Sequence, residues 1–178
     1  MKRKTKAIVG VVLAAALLAT FVMIREGPSL EKQSSVTKMF GGEDGLLTVT
    51  HPTKVKAYRL KSDPENLSPD LKDYDVSVGP VSVPDAVAAK VSAVLVSRRS
   101  YGWDYAKGCL PRYGVRLSFL RGSDQVDVYL CLECRILGVT RNGTGTGGED
   151  FDPMNAVLVS AVKSLFPDDS EIQKLKEG

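Results

Sequence analysis

Cys109, Cys131, Cys134 and the single histidine, His51, are the most reactive side chains of this sequence. Three chemistries follow from them: a structural disulfide, thiol–disulfide exchange, or a zinc site with three cysteines and His51 as the fourth ligand. The reactive form of Cys-x-x-Cys sets its first cysteine at a helix N-terminus, where the dipole lowers the thiol pKa. Here Cys131-Leu-Glu-Cys134 closes one β-rich run and precedes another, a setting that favours a staple. The runs Gly114–Leu120 and Gln125–Leu132 flank Arg121-Gly-Ser-Asp124 and read as a hairpin. A symmetric turn about Gly122-Ser123 puts Pro111 opposite Cys134 and Gly114 opposite Cys131. Cys109 then stands near register with Cys134, on a diagonal of about 7 Å, and well out of register with Cys131. Given a bend at Leu132-Glu133, either a Cys109–Cys134 or a Cys131–Cys134 pair closes, and spacing leaves both open. Arg135 stands where a haem-attachment motif needs histidine, and a catalytic triad has only His51 to draw on.

Other polar clusters carry less. Tyr101, Trp103 and Tyr105 alternate, so a strand sets all three on one face as a binding ledge; otherwise they cover the core beside the cysteines. Asn142-Gly-Thr-Gly-Thr-Gly-Gly-Glu149 has the glycines of a phosphate cradle without its basic residue, and Glu149, Asp150 and Asp152 repel an anion, so a flexible loop is expected. Asp150, Asp152, Asp168 and Asp169 suggest calcium or acid–base work, but Asp152 and Asp168 stand where helix caps belong. No cofactor motif occurs.

The elements that must position these residues form an α+β pattern. Leu46–Thr50 and Lys54–Leu60 are short β-rich runs, Tyr74–Val83 is an edge strand interrupted by Gly79-Pro80, and Arg135–Arg141 is the strand after the hairpin. Ser82–Ser97 reads as a helix capped by Ser82, with Pro84 and Asp85 in its first turn and Val87, Val91, Val94 and Leu95 on one face. Pro153–Phe166 is a second helix capped by Asp152, and Asp168 with Glu171 opens a last short one. The pattern predicts an antiparallel sheet of about four or five strands packed against two helices.

Ahead of it, Ala7–Ile24 is a run of 18 uncharged residues, long enough to cross a bilayer as a helix. Lys2, Arg3, Lys4 and Lys6 precede it and set the N-terminus in the cytoplasm by the positive-inside rule. Thr20-Phe-Val-Met-Ile24 offers no small-x-small cleavage site, which favours an uncleaved anchor over a removed signal peptide. The organisation expected is an anchor in residues 1–26, a linker over 27–45 and an exported domain over 46–178 of a bacterial inner-membrane protein, facing the periplasm. Its partners are the membrane, through residues 7–24, and an envelope protein or ligand. The net charge of +3 resides largely in the first six residues, so nucleic acid is excluded.

The segments CLPRYGVRLSF, LCLEC, GGEDFD and LFPDDSEIQKL, spread over Tyr101–Glu177, resemble those of small exported bacterial proteins. The resemblance implies an exported α+β domain with its three cysteines associated. Without a recognisable catalytic constellation, the function expected is a non-enzymatic binding or structural module. The alternative is a thiol–disulfide or zinc enzyme centred on Cys109, Cys131 and Cys134.

Overall fold

The structure is a computed structural model that describes residues 34–61 and 70–178. The expected anchor lies outside the described residues, among which no helix is long and apolar enough to cross a membrane. Six strands, β1 (Lys54–Leu60), β2 (Val76–Ser82), β3 (Val115–Arg121), β4 (Asp124–Cys131), β5 (Ile136–Arg141) and β6 (Thr144–Asp150), form one antiparallel sheet in the order β2-β1-β3-β4-β5-β6. The helices are α1 (34–39), α2 (Glu43–Thr50), α3 (Asp85–Leu95), α4 (Asn155–Leu165) and the single turn α5 (Ser170–Gln173).

Strand alternation builds the core. Leu117 lies opposite Ala57 and Val128, and Val128 opposite Val139, so one face of four strands is continuously apolar. It buries against Phe40, Val91, Leu95, Leu158 and Val162 of the helical layer. Burying each such large side chain contributes about 1.5–3 kcal/mol. Arg59, opposite Val115, points to the same side at its margin. Its guanidinium donates to Asp169 (2.8 Å), Glu171 (2.5 Å) and the carbonyls of Leu60 and Gly114, which ties α5 to the sheet.

The hairpin register is as expected: Val115 faces Leu130, Leu120 faces Gln125, and Gly122 turns the chain at φ 59°. Several expectations are corrected. The sheet has six strands because the glycine-rich segment, expected as a flexible loop, is β6. Leu46–Thr50 is helical, and the compact unit starts at Ser35 instead of residue 46, since Val36, Met39 and Phe40 are buried where a linker was expected. Ser82 ends β2 and caps nothing, so α3 begins at Asp85 without a side-chain cap. Asp169, not Asp168, caps α5, accepting from the Glu171 and Ile172 amides. Asp152 does not cap α4, because its carboxylate is taken by Lys107, Tyr105 and Arg135.

Candidate functional site

The second face of the sheet carries the chemistry. Leu60, Tyr74, Tyr113, Tyr129 and Cys131 form a small cluster there, with Leu71, Tyr58 and Cys134 against it. Cys109 and Cys134 are joined in a disulfide with their Cα atoms 6.1 Å apart, and Cys131 is a free, buried thiol. Arg135, at φ 57°, ends the turn that swings Cys134 off the β4 line towards Cys109. The Cys131 sulfur accepts from the amides of Arg112 (3.3 Å) and Cys134 (3.5 Å). All three cysteines thus gather at one end of the hairpin. His51 is exposed beside Thr50, and among the described residues no group of three or more ligating side chains stands ready for a metal ion.

Next to the cysteines a groove of about 560 Å³ runs over β5 and β6. Leu71, Tyr74, Lys107, Leu110, Pro111 and Tyr113 wall it, and the Tyr74 and Tyr113 rings meet edge to face with centroids 5.5 Å apart. Its floor is bare backbone, because Gly138 pairs with Gly148. A Cβ on Gly138 would meet Leu71 Cδ1 at 2.8 Å and the Tyr113 hydroxyl at 3.0 Å, so the missing side chain leaves room for these walls. Burial, with smaller contributions from Tyr74 and Cys131, pushes the Tyr113 phenol up to about 12, and its hydroxyl stays protonated at neutral pH. Lys107 lies 2.5 Å from Asp152 and 3.9 Å from Asp150 and donates to the Cys134 carbonyl at 3.0 Å. That lysine couples the groove wall, the acidic end of β6 and the cysteine turn. Burial raises the Glu149 carboxyl against the pull of the Asp150 amide.

A polar row that sequence reading missed crosses the same face: Lys56, Ser118, Asp127 and Thr140 are directly opposed on four strands. Asp127 accepts from the Ser118 hydroxyl and from the Gln125 amide at 3.0 and 2.9 Å. Ser118, Asp127 and Thr140 are all buried. Serine bonded directly to a carboxylate, with no intervening base, is a structural hydrogen bond rather than an activated nucleophile. Its signal in the sequence is the polar half of the strand alternation.

The three alternating aromatics do not make a ledge, because their segment is not a strand. Tyr101 is buried with its hydroxyl on the Leu95 carbonyl, and burial holds that phenol far above its ordinary value. Trp103, half-buried, donates to the Arg98 carbonyl at 2.7 Å, and Tyr105, exposed, donates to Asp152 at 3.0 Å. The first two bind the 98–103 segment to the helical layer, and the third lies over Gly102 at the surface. Comparisons with family models, with curated proteins and with solved structures find no match.

Proposed function

We propose that this chain is a membrane-anchored envelope module without catalytic activity, which binds an extended peptide segment of a partner along β6. The groove carries this reading. It has the volume of a ligand site and mostly apolar and aromatic walls with few polar groups. It adjoins a strand that no other strand pairs on its outer side among the described residues. Glycine inside a strand weakens it and marks places where another backbone comes close, and β6 has three. The two sheet edges differ in kind. Pro80 and two register shifts blunt β2, as exposed edges usually are, whereas Gly147–Asp150 pairs regularly with β5 and contains no proline. An added strand gains main-chain hydrogen bonds from β6 and specificity from a side chain seated against the Tyr74 and Tyr113 rings, which pack edge to face with centroids 5.5 Å apart. The uncharged run of residues 7–24 supplies the anchor and sets the module outside the cytoplasm.

The test is selection of random dodecapeptides on the full chain in detergent, followed by binding to Gly138→Ala. Binders that lose at least about tenfold in affinity, roughly 1.4 kcal/mol, support the reading while circular dichroism confirms an intact fold. No binder, or binders indifferent to the substitution, overturns it.

A further inference from the structure

Three sulfurs in one cluster, of which two are bonded and one is free, make an arrangement that can exchange. Cys131 is 0% exposed, and its sulfur lies 3.5 Å from the backbone nitrogen of Cys134. Both residues pack in the same small cluster with Tyr74 and Tyr113. Cys109, at the far end of the disulfide, is exposed and lies in the irregular segment between Gly102 and Val115, next to Leu110, which is 74% exposed. The bonded pair therefore has one member, Cys134, packed against the cluster that holds the free thiol, and another, Cys109, exposed to solvent. Exchange attack requires a thiolate near one sulfur and a leaving sulfur that can depart.

We propose that Cys109, Cys131 and Cys134 form a thiol–disulfide exchange site whose substrate is an external low-molecular-weight disulfide. In the first step the Cys131 thiol gives up its proton and attacks Cys134. The Cys131–Cys134 bond forms, the Cys109–Cys134 bond breaks, and Cys109 departs as the thiolate, so no net oxidation occurs. In the second step the Cys109 thiolate attacks the external disulfide. One external sulfur becomes a mixed disulfide with Cys109, and the other leaves as a thiolate and takes up a proton. The chain's one free thiol is thereby oxidised and half of the external disulfide is reduced. The exchange also releases a wall of the groove, since Cys109 restrains the segment that contributes Lys107, Leu110 and Pro111. The proposal stands apart from the peptide reading and does not require it.

The burial difference makes the test direct. The folded full chain is incubated with oxidised glutathione at mildly alkaline pH, quenched in acid and mapped without reduction. One glutathionyl group on Cys109, accompanied by a linked Cys131–Cys134 peptide, is the expected result. Cys131→Ser, which retains the Cys109–Cys134 bridge and has no free thiol, is expected to lose the adduct completely. A glutathionyl group on Cys131 would mean that local opening, not exchange, exposes the thiol, and it would overturn the proposal. So would the absence of any adduct on the wild-type chain under conditions that modify a denatured control.

Discussion

Replacing Cys109 by serine removes the only disulfide among the described residues and isolates its contribution to stability. The bridge spans a sequence separation of 25 residues, and the loop-closure relation gives about 3.5 kcal/mol for its effect on the unfolded chain. For a domain of this size that corresponds to a fall in melting temperature of roughly 10 °C. The variant leaves Cys131 and Cys134 free to pair, but their separation is 3 residues, and the same relation returns only about 1.6 kcal/mol. A Cys131–Cys134 bridge thus restores less than half of the loss. Cys131→Ser keeps the long bridge and exchanges one buried acceptor of the Arg112 and Cys134 amides for another, so it is expected to cost only about 1 kcal/mol. Thermal melts followed by circular dichroism, with and without reductant, measure all three effects. Wild type in reductant should fall to the value of Cys109→Ser in reductant. If Cys109→Ser melts within a degree or two of wild type, or below Cys131→Ser by no measurable margin, the bridge does not restrain the hairpin and the reasoning fails.

Four further outcomes follow from the packing and the charges. Arg59→Met strands the Asp169 carboxylate and two carbonyls and is expected to cost about 2–3 kcal/mol in urea unfolding, whereas Glu171→Gln, at an exposed partner, costs under about 1 kcal/mol. Burial pulls the Asp169 carboxyl upward, but the Ile172 amide and the Arg59 guanidinium outweigh it and hold the group below the ordinary 3.8. The unfolded chain therefore takes up that proton first, so the stabilisation is present above pH 3.8 and lost as pH falls through the lower folded value. Asp169→Asn should flatten the acid limb of a stability–pH profile. For Tyr113 the sign is opposite: the folded phenol holds its proton to about 12 and the unfolded one to 10.0, so stability falls as pH rises past 10.0, read by phenolate absorbance during unfolding. Phe40→Ala, at a fully buried site, is expected to lose about 3–5 kcal/mol by thermal melt; a negligible loss would return residues 34–42 to the linker.

Where local signals agreed with the tertiary fold, the sequence was readable. Gly122 in a short turn between alternating runs sets the β3–β4 register, and that register brings Cys109 near Cys134. The choice of bridge was not readable, since it depends on the turn that ends at Arg135 in a left-handed conformation. Leu46–Thr50 is rich in β-branched residues, yet burial of Thr48 and Val49 makes it a helix, with tertiary packing overriding propensity. Strand β6 escaped notice for a related reason. Glycine is depleted in strands, and this one is held by pairing with β5 and by the Thr146 hydroxyl on the Met39 carbonyl, contacts remote in sequence. The groove had a faint signal in Gly138 and the Gly147-Gly148 pair, residues without side chains on adjoining strands. Tyr113 reaches it from a connecting segment that no periodicity marks, and Tyr74, expected to open the edge strand, stands ahead of β2, which begins at Val76.

The binding proposal rests on the outer edge of β6, where no strand pairs among the described residues and the Asp150 carbonyl alone accepts from the Gly102 amide, and amide shifts address that edge residue by residue. Isotope-labelled full chain in detergent micelles, titrated with a peptide selected on it, is expected to shift the amides of Gly145–Asp150 and the ring resonances of Tyr74 and Tyr113. Cross-strand contacts from the peptide backbone to β6 should accompany those shifts. Shifts confined to β2, to the helical layer or to the 98–105 segment, with Gly147 and Gly148 unmoved, would contradict the proposal.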